Sequence, residues 1–138
     1  MAIDAELAEV LQADQGILDA FGMSVVSAED GVCIIDCTVP ASLVNAGGFA
    51  HGSIAFSIMD TACAYAIRSK GRRGVTSSAN VTYVKGGAAN SKLSGEVRVV
   101  SLTRRVASLR GEVYLHDSGQ SEPALAAHGT FVFQLASD

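Results

Sequence analysis

The stretch NAGGFAHGSIAFSIMDTACAYAI, residues 45–67, decides the reading of this chain. A glycine-rich loop with one histidine, His51, leads into a run over about 53–67 whose only charged residue is Asp60. An apolar run of that length without a polar face predicts a helix buried on nearly all sides. A carboxylate in such a helix is costly unless it is paired or put to use. Two alternatives stand: an aspartate satisfied by Ser57, Thr61 and a neighbouring strand, or one held for chemistry.

What surrounds that helix is strand-like. Downstream lie VTSSANVTYVK, KLSGEVRVVS, RRVASLRGEVYLHD and PALAAHGTFVFQL, separated by KGGAAN, a tight SLTR turn and DSGQSEP. Leu93, Gly95, Val97 and Val99 alternate with Ser94, Glu96 and Arg98, the pattern of a strand with one wet face. Upstream, MSVV and GVCIIDCTVP flank Glu29-Asp30-Gly31, which predicts a hairpin, and Pro40 ends its second strand. Residues 4–21 place Leu7, Val10, Leu11, Ile17, Leu18 and Phe21 near the helical period, with Gly22 able to close a short amphipathic cap. The expected architecture is α+β: one long central helix wrapped by a curved, mostly antiparallel sheet of five to six strands. One domain is expected over residues 1–138, with about 1–22 as a helical cap.

Composition bounds the function. The 138 residues are 49% hydrophobic and 17% charged, which fits a folded globular chain. A chain of this size gains by burying apolar surface against a second copy. All ten Lys and Arg fall over residues 68–110, where the only acid is Glu96; the flanking segments hold the other thirteen acids. This basic middle is either a set of solvated loops and strand edges or a landing site for a phosphorylated ligand. A net charge of −4, 6% aromatics and no Trp argue against nucleic acid, and a small phosphate-bearing molecule suits the segment better.

Cys33, Cys37 and Cys63 form no CxxC pair and sit in apolar segments, so they read as reduced core residues. The N-terminal MAIDAELAEVLQ carries acids where a secretory leader is basic, and no run of 18 apolar residues occurs, so a cytoplasmic protein without a membrane span is expected. His51, His116 and His128 lack ligand-like spacing, and no metal is expected.

Ser53, Ser57, Asp60 and Thr61 recur at three and four, so they share one stripe of the helix. At the helix start the first N–H groups are unpaired and carry the positive end of the dipole, which suits a phosphate or a developing oxyanion. Asp60 lies roughly 10 Å further along the axis at 1.5 Å per residue. It therefore cannot act on a group bound at its own helix start; a second subunit would have to bring its own Asp60 across. His51 is either a structural loop residue or part of the site, since no GxSxG elbow offers it a nucleophile.

Asn45, Gly47-Gly48, His51-Gly52-Ser53, Asp60-Thr61-Ala62 and Ala64-Tyr65-Ala66 together resemble the signature of hotdog-fold acyl-CoA thioesterases of the PaaI type, the phenylacetyl-CoA branch. The likeness runs from about Val32 to the end and includes VTSSANVTYVKGG. It implies a sheet wrapped around one helix, homodimers with two sites across the interface, and a homotetramer built as a dimer of dimers. In such enzymes the Gly52 N–H polarises the thioester carbonyl and Asn45 helps to position it. Asp60 of the facing subunit activates water or attacks directly, a hydroxyl matching Thr76 places the water, and His51 shapes the loop or sits near the sulfur.

The substrate implied is an acyl-CoA, with coenzyme A part of the substrate and no separate cofactor. Arg72, Arg73 and Arg104 of the basic middle are candidates for its phosphates, and Phe56 and Met59 for the border of the acyl pocket. Where the family motif reads His-Gly-Gly, Ser53 stands in the third place; a serine suits a helix cap or first turn and narrows the acyl or pantetheine passage. A proline usual near Lys85-Gly86-Gly87 is also absent. A non-catalytic acyl-CoA sensor on the same fold is the competing reading, and it would have no need of Asp60. An enoyl-CoA hydratase would require a Gly-Asp-x-Asn-Pro type segment, which does not occur.

Overall fold

In the computed structural model, which describes residues 5–116 and 121–137, the alternation of residue type becomes an alternation of burial. Asp4 of the expected cap and residues 117–120 of the DSGQSEP connection lie outside the described residues. Two short helices, α1 (Ala5–Ala13) and α2 (Gln15–Ala20), come first, followed by strands β1 (Met23–Glu29) and β2 (Val32–Thr38). The long helix α3 (Gly52–Arg68) leads to β3 (Gly74–Tyr83), β4 (Lys92–Leu102), β5 (Val106–His116) and β6 (Ala124–Leu135). All six strands form one antiparallel sheet in the order β1-β2-β4-β5-β6-β3, which is the hotdog architecture expected.

The expected cap is two helices rather than one. Asp14 breaks it: its carbonyl accepts the N–H groups of Ile17 and Leu18, and its carboxylate accepts the Tyr65 hydroxyl at 2.7 Å. Burial and that contact push the Tyr65 pKa up. At the far end of α3 the Ser69 hydroxyl donates to the Ala66 carbonyl at 2.6 Å and accepts the Gly31 N–H at 2.8 Å, tying the β1–β2 turn to the helix end.

The helix sits on the sheet along its buried side chains, which include Ile54, Ile58, Met59, Ala62, Cys63 and Ile67. It meets inward-facing residues such as Ile35, Val97, Leu109, Val113, Phe131 and Phe133. Glycine permits the close approach: a Cβ on Gly95 would stand inside the contact radius of Ile58 Cγ2. Gly95→Val is expected to cost about 1–3 kcal/mol through overpacking, read as a lower denaturation midpoint. The three cysteines are buried and free. Burial pushes the Cys33 thiol up to about 12 and Cys37 to about 11, and raises Cys63 as well.

β3 is the exception to the burial pattern. It pairs with β6 alone, and among the described residues nothing covers its other edge. Thr76, Ala79, Val81 and Tyr83 lie opposite Phe133, Phe131, Gly129 and Ala127, all buried, so they belong to the face that looks toward α3. Yet Thr76, Ala79 and Tyr83 are exposed, Tyr83 at 54%, and Val75 stands 69% exposed. An open edge with apolar residues beside it is a template for pairing.

Candidate active site

The loop before α3 is built by Asn45. Its Oδ1 accepts the N–H groups of Gly47 at 3.0 Å and Phe49 at 3.1 Å, while its main-chain carbonyl accepts the Gly48 N–H at 2.9 Å. Gly48 closes this turn at φ +83, a conformation glycine adopts without strain. With Oδ1 committed to the loop, the side-chain amide nitrogen is the group Asn45 can offer to a ligand. The Ala50 N–H donates to the Gly87 carbonyl at 2.6 Å, which fixes the loop against the segment after β3.

Between them lies a cavity of about 630 Å³ whose lining includes Asn45, Phe49, His51, Gly52, Tyr83 and Lys85. His51 is the N-cap of α3, with φ −60 and ψ 143, and its Nδ1 accepts the Ser53 N–H at 3.1 Å. That cap satisfies the second N–H of the helix and leaves the first, that of Gly52, without a partner among the described residues. An unpaired N–H on a helix start, facing an apolar cavity, can serve chemically as an oxyanion donor.

Asp60 lies two turns up the helix, half-buried, and accepts the Thr76 hydroxyl at 2.5 Å. The structure therefore brings together Asn45, His51 and Gly52 at one place, and Asp60 and Thr76 at another. Within one chain the two groups stay apart. Ser53 lies in the first turn; Phe56, half-buried, packs its ring 5.7 Å from that of Phe131. Met59, at 0% exposure, belongs to the core, and Phe56 packs against that core; neither lines the cavity of this chain.

Arg72 donates to the Arg104 carbonyl at 2.6 Å and the Thr103 carbonyl at 3.4 Å, so its guanidinium clamps the β4–β5 turn. With Arg104, Arg105 and Gln134 it lines a polar groove of about 690 Å³, and exposed Arg73 lies beside it in sequence. This groove is at the C-terminal end of α3, about 25 Å from Gly52 at 1.5 Å per residue over a helix of 17 residues. Tyr83, Phe49 and Lys85 line the cavity without standing out in the sequence. The alternation of VTSSANVTYVK is the available signal for Tyr83; Phe49 reaches the site through a pairing with Ala88 that local pattern does not reveal.

A hotdog sheet with an unpaired N–H at the helix start and an aspartate on the same helix fits a thioesterase-type protein, and the chain belongs to the thioesterase superfamily, whose family model matches residues 47–122. It is 32% identical over 80 residues to the acyl-coenzyme A thioesterase PaaI of Escherichia coli K12; the match covers 58% of this chain and 57% of that protein's length. The solved structure of E. coli PaaI superposes with a TM-score of 0.81 at 23% identity, covering 92% of this chain and 93% of the other. A Streptococcus mutans protein solved with acetyl CoA bound superposes at 0.76 with 25% identity, covering 84% and 90%. Among the described residues no helix is long and apolar enough to cross a membrane.

Proposed function

We propose that this protein hydrolyses an acyl-CoA thioester to a free acid and coenzyme A, working as a homodimer paired through β3. The observation that carries the reading is the placement of two half-sites along one open strand. Gly52 lies against the Tyr83 ring at one end of β3, and Asp60 is bonded to Thr76 at the other. A two-fold axis through Asn80 sets Ala79 of one copy opposite Val81 of the other and, past the bulge at Ser77, Thr76 of one copy opposite Tyr83 of the other, on the same face of a continuous antiparallel sheet. Asp60 of the second copy then stands over Gly52, as the distance along the helix requires.

In this site the Gly52 N–H takes the charge that develops on the thioester oxygen, and the Asn45 amide orients the carbonyl. Asp60, steadied by Thr76, activates water or attacks the carbonyl carbon. The same pairing sets Val75 and Gly74, at the start of β3, beside the partner's Val84 and Lys85, so the groove lined by Arg72, Arg104 and Arg105, with Arg73 nearby, continues the partner's cavity and receives the coenzyme A phosphates. Phe56 borders the acyl group. We further read residues 1–138 as one hotdog unit capped by about residues 1–22, a cytoplasmic enzyme that assembles as a homotetramer and needs no separate cofactor.

The test is thiol release over phenylacetyl-, hydroxybenzoyl-, short-chain and long-chain acyl-CoA esters. Buried, high-pKa cysteines keep the protein itself silent toward a thiol reagent. Turnover on any ester of the panel supports hydrolysis and ranks the substrates. Binding without thiol release replaces hydrolysis by the acyl-CoA sensor.

A further inference from the structure

One nitrogen at the start of α3 receives two donors. His51 Nδ1 accepts the Ser53 N–H at 3.1 Å, and the Ser53 hydroxyl lies 2.8 Å from the same atom. A backbone N–H is always a donor, so Nδ1 must present a lone pair and the neutral ring carries its hydrogen on Nε2. The Ser53 hydroxyl then donates as well. A ring with hydrogen on Nδ1 would oppose the Ser53 N–H, and a ring flipped about its Cβ–Cγ bond would offer both groups a carbon.

We infer that Ser53 is a positioning residue: its hydroxyl anchors the His51 ring against the helix start, where the Ser53 N–H fixes the Nε2–H tautomer, so the imidazole meets the ligand as a neutral hydrogen-bond donor. This rests on the cavity being the thioester site, since His51 lines that cavity beside Gly52. With Nδ1 turned to the helix start, Nε2–H is the ring group left for an acceptor on the thioester. The role belongs to this sequence in particular, because a glycine at position 53 would supply the N–H and no hydroxyl. His51 and Gly52 then act as two fixed donors at one site, and donors already aimed at developing charge need no reorganisation during reaction.

The imidazole ¹⁵N resonances of free protein report the tautomer directly and owe nothing to turnover. The wild type is expected to give a bare-nitrogen signal at Nδ1 and a protonated-type signal at Nε2. Ser53→Ala, which retains the backbone donor and a good helix former but frees the ring to turn away from that donor, is expected to mix the tautomers, and Ser53→Thr to restore the single form. On the best acyl-CoA ester, Ser53→Ala is expected to lower kcat about tenfold with KM little changed, less than the roughly 10²–10³ for removing an oxyanion donor outright. An Nδ1–H signal in the wild type, or a Ser53→Ala spectrum identical to it, overturns the inference. If no ester is cleaved yet the tautomer shifts as described, the lock stands and the hydrolase reading falls.

Discussion

Asp60→Asn is expected to lower kcat on every acyl-CoA that the wild type cleaves by roughly 10²–10⁴, the contribution of a positioned carboxylate, while the melting midpoint stays close to wild type. Asparagine has the same shape and keeps an oxygen for the Thr76 hydroxyl, so the contact between α3 and β3 survives. What is lost is the carboxylate's capacity to take a proton from water or to attack. The half-buried position makes this separation of roles possible: a fully enclosed aspartate would couple its loss to unfolding, and this one stands beside the open edge strand β3. KM should move little, because in the proposed site Asp60 meets the reacting centre and not the body of the ligand. Full activity in the variant would remove Asp60 from the mechanism and leave the fold untouched.

How much of this could be read before the structure follows from where the information lies. The helix was legible because an apolar run of this length with a single charge fits a buried helix and little else, and α3 starts and ends within one residue of the reading at each end. The strands were legible because one face of the sheet is wet. Beyond its one polar stripe the same helix gave little guide to its faces: Met59 and Phe56 are both apolar, and packing sends Met59 into the core while Phe56 stays at its border. Arg72 reads as a free cation among other cations, yet two carbonyls of the β4–β5 turn engage its guanidinium. The split of the cap at Asp14 depends on Tyr65, 51 residues away. His51 as N-cap was equally hidden, because imidazole is uncommon there beside Ser, Thr, Asp and Asn. The open edge of β3 has no local signature, since VTSSANVTYV would also suit a covered strand.

Gly52→Pro is expected to lower kcat by roughly 10²–10³, the cost of one oxyanion donor, with the helix intact. Proline is favoured at the first position of a helix, where its missing N–H has no intrahelical partner. The residue before it must be extended, and His51 already is, at φ −60 and ψ 143. A Cβ at position 52 would meet the Tyr83 ring at 3.5 Å, ordinary contact, so the substitution removes a donor more than it adds bulk. The variant also decides which chains build a site. Mixed with Asp60→Asn under conditions that exchange subunits, two inactive proteins should regain about a quarter of wild-type activity, because half of the dimers are mixed and each has one intact site in an isologous pair. That site joins Gly52 of the Asp60→Asn chain to Asp60 of the Gly52→Pro chain. If both groups acted from one chain, each subunit would carry its own defect and mixing would restore nothing. Recovery on mixing therefore requires a site shared between two chains, as the pairing through β3 supplies, and a mixture that stays silent while mixed dimers are seen by native mass spectrometry would break it.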